Sequence, residues 1–357
     1  MKVAVVSLKF SPGHLAHLRA YQEMFGQLAD ETELFLDPEY RSFMGDEGEI
    51  HYTEEISDII GTKPDLVFIY NISPKNPALA SACRKRGIRS AYVLHEPRGS
   101  FRELLNEGRD LPKTVVANAV SDLICRRVDQ VLLCSETGRK NYERYMRGCN
   151  RNYSVFPLIF PDDYEEEKVF ERQYLSFIGG FTDVHACHEF LQFMEYSLNE
   201  KQGIRFLIAT KTDLSGALEK EAFRQAQATG NLVIQAGRPM TTEEINGFYR
   251  QSICVWNAYN RSTQSGVMVN AMMQGTPILA NQNGAAGENI REGETGCYIT
   301  WPINVEEVAD KYRYIREHLD EMSRNARELF LCKNWYGANI EKAREVFQIQ
   351  TEEHTHA

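Results

Sequence analysis

Ser262-Thr-Gln-Ser-Gly-Val-Met-Val-Asn-Ala-Met-Met-Gln-Gly-Thr-Pro-Ile-Leu-Ala-Asn281 is the stretch on which the reading of this chain turns. Just before it, Cys254 to Trp256 has the short continuous apolar character of a strand buried on both faces. A polar loop follows, and Ser265-Gly266 opens a helix predicted over Val267 to Gln274, stopped by Gly275; Pro277 then leads into a second buried strand. Ser265 is a natural cap for that helix. Gly266, lacking a side chain, lets a ligand approach the first backbone N–H groups, which have no partner inside the helix. Strand, glycine loop, helix and strand in this order describe an anion pocket at a helix N-terminus.

The same alternation runs outward in both directions. Strands are predicted at Val3 to Leu8, Glu33 to Leu36, Leu66 to Tyr70, Ala91 to Leu94, Val131 to Cys134 and Tyr153 to Ile159, with helix-length segments such as His14 to Leu28, Asn76 to Arg86 and Lys113 to Arg127 between them. The rhythm pauses at Phe160 to Arg172. It resumes with Tyr174 to Ile178, Arg205 to Ala209, Leu232 to Gln235, Cys254 to Trp256, Ile278 to Ala280 and Cys297 to Thr300, and three helical stretches close the chain from Val305 onward. Two doubly wound α/β domains follow from this: an N-terminal domain over 1–160, a linker over 161–172, a second domain over 173–334, and a terminal helix with a polar tail over 335–357, the helix packing back on the first domain. Ligands of such folds gather at the carboxyl ends of the strands, and helix N-termini there favour a phosphorylated one.

Composition narrows the class. The 357 residues fit two domains, and 43% hydrophobic with 25% charged is an ordinary globular balance. Eight cysteines without a C-x-x-C pair fit a reducing cytosol and exclude a disulfide-stapled miniature. No run approaches the roughly 18 apolar residues of a membrane span, and the first residues do not read as a signal peptide, so the expectation is a cytoplasmic protein. That also counts against a two-domain binding protein of the periplasmic type, which has the same rhythm. The formal charge of -10 argues against nucleic acid as a partner, yet residues 61–160 hold 17 Lys and Arg against 9 Asp and Glu. Within that basic stretch, Arg139, Lys140, Arg144 and Arg147 are interleaved with Tyr142, Tyr145 and Met146, a pattern equally suited to a solvated helix face and to an anionic membrane surface.

Ala271-Met272, Gly275-Thr276-Pro277, Gly284, Glu288, Ile290 and Gly293-Glu294-Thr295-Gly296 together resemble, in order and spacing, the family-4 (group 1) retaining glycosyltransferases. Cys134-Ser135-Glu136, Phe177-Ile178-Gly179-Gly180, Asn325-Ala326-Arg327 and Trp335-Tyr336 fall where that family carries similar text, so the resemblance runs thinly over nearly the whole chain. It implies a GT-B fold, two Rossmann-like domains facing a central cleft with C-terminal helices, and transfer of a sugar from a nucleotide-diphosphate donor with retention. Relatives of this kind act on glycans or lipid-linked acceptors, which implies a role in bacterial surface polysaccharide synthesis, at the inner face of the membrane.

The resemblance also assigns residues. His95, with Glu96 beside it, falls where the family faces the reacting sugar and the acceptor; Gly13 lies at the glycine loop of the first domain, and Gly179 at that of the second. Ser265 and Gly266 are placed at the diphosphate, Asn270 at the ribose, Glu288 at the sugar, and Arg238 at the nucleobase. The chain departs from the pattern where it matters. Ser262 and Asn270 occupy the positions of the family's paired glutamates, while Gly180 and His185 align with its two diphosphate-gripping cations. Charge on the leaving group is then expected to fall to the loop Gln264-Ser265-Gly266 and to Arg261, Lys211 or His185.

Two further patterns carry chemistry on paper. Asp183-Val-His185-Ala-Cys187-His188 has metal-ligating residue types, but His185 and His188 are expected to begin a helix and no second ligand group of matching spacing appears, so no metal or other cofactor is expected. No Asp-x-Asp occurs, the motif with which the other large glycosyltransferase architecture holds its metal. Trp256-Asn257-Ala258-Tyr259, at a strand end, reads as a lining of the sugar pocket, with core packing the expected role of Trp256. Two alternatives to the transferase stand beside it: a glycosyltransferase-like binding or partner subunit without catalysis, and a nucleotide-sugar epimerase of the same fold.

Overall fold

The computed structural model describes residues 1–44, 50–100, 111–166, 170–214, 216–260 and 262–349. The chain divides into two compact units, Met1–Pro161 with Asn334–Ala357, and Asp162–Lys333.

The first unit is built on a seven-stranded parallel sheet of β1 (Lys2–Ser7), β2 (Glu31–Leu36), β3 (Ile50–Tyr52), β4 (Leu66–Ile69), β5 (Arg89–Leu94), β6 (Gln130–Leu133) and β7 (Tyr153–Val155), in the order β3-β2-β1-β4-β5-β6-β7. Its central strands are continuous apolar runs because both faces are covered. One face packs Leu18, Tyr21 and Phe25 of the helix Leu15–Gly26 against Val3, Val5 and Phe68; the other packs Leu79, Cys83 and Ile124 against Ala4, Val6 and Val67. β3 did not announce itself: Ile-His-Tyr at a sheet edge is only three residues long and partly exposed, too short for a period. The predicted strand Tyr153 to Ile159 keeps its ladder only to Val155, and beyond it Phe160 pairs with Trp335.

That bridge brings the end of the chain home. Asn334 donates to the Leu158 carbonyl, and the helix Ile340–Phe347 places Phe347 against Phe25, Phe68 and Phe156 at ring separations of 5.1, 5.8 and 6.1 Å. Residues 350–357, the polar tail, lie outside the described residues.

The second unit repeats the plan with six parallel strands, β8 (Tyr174–Ile178), β9 (Arg205–Ala209), β10 (Leu232–Gln235), β11 (Ser252–Trp256), β12 (Ile278–Ala280) and β13 (Gly296–Tyr298), in the order β10-β9-β8-β11-β12-β13. In both sheets the strand order reverses beside the first strand, and the loops that follow the strands there form the crevice a ligand enters. Asp162, Asp163 and Glu165, expected in a linker, are tied to this unit: Asp162 pairs with Arg327, and the buried Arg250 reaches Glu165 at 3.2 Å and the Asp163 carbonyl at 3.2 Å. Among the described residues no helix is long and apolar enough to cross a membrane.

Candidate active site

In the second unit the loops after β8 and β11 and the start of the helix Gly266–Met273 come together. Gly179 ends β8 with φ +118, and a Cβ there would stand 3.2 Å from Val267 in the first turn of that helix. Only glycine brings the strand end this close. Ser265 caps the helix with its hydroxyl, which accepts from Met268 N–H at 3.2 Å and from the Asn257 side-chain amide at 2.9 Å, and lies within hydrogen-bond reach of Tyr259. Its side chain is therefore fully employed in shaping the turn. The ligand-facing groups are the N–H of Gly266 and of Val267, for which no described residue is an acceptor.

The far end of the same helix is gripped. Gly275, at φ +60, closes a Schellman turn in which Gly275 N–H bonds Met272 O and Thr276 N–H bonds Ala271 O. The buried Arg172 guanidinium then donates to Gln274 O at 2.7 Å, Thr276 Oγ1 at 2.8 Å and Ser252 O at 2.9 Å, and Arg327 donates to Met273 O at 3.2 Å. Two cations at the carboxyl end oppose its partial negative charge, while the opposite end presents open amides to an anion. Burial lowers Arg172 to about 10, so it stays charged throughout the neutral range.

Around the amides, Gln264 Oε1 is buried without a donor among the described residues, which fits it to accept from a ligand hydroxyl or N–H. Asn270, one turn on from Gly266, lies on the same helix face. His185 is not on the helix expected of it: Ala186, at φ +57, separates the short 3-10 turn Asp183–His185 from the helix Cys187–Asn199. His185 Nδ1 instead bonds the Gly180 carbonyl at 2.6 Å, and its ring lies 4.3 Å from that of Tyr259. Burial lowers its pKa, so at neutral pH His185 is an uncharged hydrogen-bonding group and supplies no cation. Asp183, Cys187 and His188 do bring three ligand-type atoms within 4.8 Å of one another, with Asp183 and His188 largely exposed.

The other sequence candidates divide. Ser262 works locally: its hydroxyl bonds Gln264 O and its carbonyl accepts from Ala285 N–H at 3.0 Å, with Gly284 at φ +57 pressed against it. Glu288 is half-buried on the short helix Ala286–Asn289, where Lys333 holds its carbonyl. Lys211 is exposed just beyond the end of β9. Arg238 is spent on Glu244, pairing with both carboxylate oxygens and bracing the capping box Thr241–Glu244; the pairing holds Glu244 at about 2. Arg261 lies outside the described residues. Trp256 is core, packed on Phe190.

In the first unit, Gly13 sits in the turn Pro12–His14 with open space where a Cβ would be. His95 follows β5, with Nε2 at 2.8 Å from the Tyr70 carbonyl, and its ring is stacked on His14 at 5.5 Å. Packed in this way, its pKa is lowered to about 4. The neutral ring donates through Nε2–H, which leaves Nδ1 as an acceptor. Glu96 is exposed beside it. His17, one turn below His14, is buried with Nδ1 on the Ile159 carbonyl at 3.0 Å and lowered to about 3.

Arg172 and His14 were not assigned a role from the sequence alone. Their partners are distant or non-local in ways no local spacing encodes; Arg172 meets Gln274 across 102 positions. Arg327 was visible only as part of the Asn325-Ala326-Arg327 text.

This architecture is GT-B. Sucrose-phosphate synthase from Thermosynechococcus elongatus superposes with a TM-score of 0.70 at 13% identity, over 97% of this chain and 98% of that one. HepE from Anabaena, solved in complex with UDP-glucose, gives 0.71 at 15% over 98% and 99%. WaaG, a glycosyltransferase involved in lipopolysaccharide biosynthesis, gives 0.66 at 13% over 96% and 99%. At such identities these likenesses establish the fold. No curated protein matches the sequence. Residues 172–318 match the family described as glycosyl transferases group 1. That matched stretch lies wholly within the second unit, Asp162–Lys333.

Proposed function

We propose that this protein transfers a sugar from a nucleotide-diphosphate donor to a glycan or lipid-linked acceptor, with retention, in the synthesis of a bacterial surface polysaccharide. The observation that carries the donor half is the helix Gly266–Met273, with open N–H groups at Gly266 and Val267 and with Arg172 and Arg327 on its carboxyl end. Amides held rigid in this way stabilise charge on a departing diphosphate without a metal or a lysine. Gln264 and Asn270 serve the sugar or ribose hydroxyls, and Glu288 the sugar. That HepE was solved with UDP-glucose supports a nucleotide-sugar donor for this fold.

In the transfer, the anomeric carbon's bond to the diphosphate oxygen breaks, its bond to the acceptor oxygen forms, and the acceptor proton leaves. His95, lowered to about 4, is a poorer base than the departing phosphate, whose second ionisation lies at about 6. The proton therefore goes to the leaving group, and His95 acts as a hydrogen-bond acceptor on the acceptor side with Glu96. Contact with an anionic membrane rests on Lys140, Arg144 and Arg147, which are exposed; Arg139 is engaged with Glu136 and Glu143. Each exposed cation is worth about 1 kcal/mol at such a surface.

The test is thermal protection by UDP, GDP and ADP sugars in the wild type and in Gly266→Asp, followed by donor hydrolysis and transfer. Protection lost in a folded variant, with turnover in the wild type, supports the reading. Protection that survives in Gly266→Asp removes the loop from the site. A partner subunit without catalysis is favoured by the engagement of Arg238 and the neutrality of His185; nucleotide binding with no turnover on any acceptor would establish it.

A further inference from the structure

A second electropositive feature lies in the first unit, at the amino ends of its strands, whereas Gly13 and His95 follow the carboxyl ends of β1 and β5. A cleft of about 380 Å³ is lined there by Arg84, Arg126, Arg127 and Arg151, with Asp129 and Cys149. Arg84 belongs to the last turn of the helix Asn76–Arg86, Arg126 and Arg127 follow the helix Leu111–Cys125, and Arg151 precedes β7.

Arginines at helix carboxyl ends are ordinarily explained by the carbonyls they serve. These carbonyls are already taken. Gly87 N–H and Ile88 N–H bond the carbonyls of Arg84 and Cys83; Val128 N–H bonds that of Ile124; and the Asn150 side-chain amide holds those of Cys125 and Val128 at 3.0 and 2.8 Å. Nor do carboxylates answer the charge. Among the described residues none of the four guanidiniums makes an ion pair, although Arg98, Arg139, Arg238, Arg250, Arg313 and Arg327 all do. The one acid in the cleft, Asp129, has its carboxylate turned to Ser90, accepting from the backbone N–H at 2.8 Å and from the hydroxyl at 2.9 Å. Arg126 interacts first with the Cys149 sulfur and more weakly with the Asp122 carboxylate, which forms its ion pair with Arg98 instead.

We propose that this cleft is a binding site for a phosphate-bearing anion, separate from the donor site and independent of the transfer reaction. Four arginines lining one concavity, in a chain with more acids than bases and without an ion pair among the described residues, match a group with several terminal oxygens. The volume accommodates a diphosphate or the headgroup of a phospholipid.

The test uses the full chain and a triple variant, R84A/R126A/R151A, whose side chains are exposed, with circular dichroism and the melting curve confirming its fold. Inorganic pyrophosphate is titrated calorimetrically, and binding to vesicles of phosphatidylglycerol is compared with phosphatidylcholine. Gly266→Asp serves as the parallel control, since pyrophosphate also addresses the donor loop. Binding that survives in Gly266→Asp and weakens at least about tenfold in the triple variant supports the site, at roughly the loss of one charge-assisted hydrogen bond or more. Pyrophosphate binding identifies a soluble ligand; a response to phosphatidylglycerol alone identifies a lipid headgroup. If the triple variant matches the wild type with both probes, or neither probe binds the wild type, the proposal is overturned.

Discussion

The carbonyl of Ser262 occupies the space where a side chain on Gly284 would begin: a Cβ built on Gly284 falls 1.8 Å from that oxygen. The two loops of the donor unit that follow β11 and β12 are thereby locked backbone to backbone, with Ala285 N–H bonded to the same carbonyl. Gly284→Ala meets both this collision and a φ of +57, and should cost at least about 2 kcal/mol. Its melting temperature should fall and nucleotide-sugar protection with it. Gly13→Ala is the contrast: its Cβ meets nothing, so stability should change by less than about 0.5 kcal/mol, and any loss of activity would report a ligand at that turn.

Arg172→Ala should destabilise the second unit by about 1–3 kcal/mol, because it leaves the carbonyls of Gln274 and Ser252 without their charged donor. Arg172→Lys, which cannot reach several acceptors at once, should recover only part of this. Chemical denaturation measures the loss. If donor affinity falls in the folded Lys variant as well, the helix is held in register from its carboxyl end.

Acid should loosen the first unit before it touches most carboxylates. His17 is held neutral at about 3 in the fold against about 6.5 in the unfolded chain. The unfolded state therefore binds the extra proton below about 6.5. Stability is full above that pH and falls as pH drops toward 3, by up to about 1.4 kcal/mol per unit from this residue. His95 contributes in the same direction down to about 4. Denaturation curves between pH 7 and 4.5 should steepen accordingly, and the His17→Gln variant should show a shallower slope.

Much of this fold was legible because parallel strands buried on both faces are built from continuous apolar runs, as in residues 3–6 of β1, in β4 and in residues 206–209 of β9. β3 escaped because an edge strand of Ile-His-Tyr needs no such run. The helix Gly266–Met273 and its cap at Ser265 were readable from a local rule. What Ser265 does was not: Asn257, eight residues earlier, and Tyr259 consume its hydroxyl, so that only the backbone amides of Gly266 and Val267 stay open at that turn. Arg238 could be read as a nucleobase contact until Glu244 was seen to occupy it. His95 was singled out through the resemblance and its place at a strand end; the burial that lowers its pKa is supplied by residues such as Tyr70 and His14, neither adjacent in sequence.

Phe347→Ala should cost about 3–5 kcal/mol in the first unit, through the lost ring and the cavity left among Phe25, Phe68 and Phe156. The donor unit should keep its own melting transition. Calorimetry that resolves two transitions, with only one displaced, checks both statements.

The return of Asn334–Phe347 to the first sheet makes the donor unit an insertion between two parts of its neighbour. On the ribosome the chain emerges from its amino end, and domains generally fold as units while synthesis continues. The insert, Asp162–Lys333, has every strand of its sheet in hand before the helix that seals the first unit exists. The first unit is begun first and finished last. A nascent chain arrested before Ile340 would carry a complete donor unit beside an exposed patch of Phe25, Phe68 and Phe156, the surface most exposed to mispairing during biogenesis.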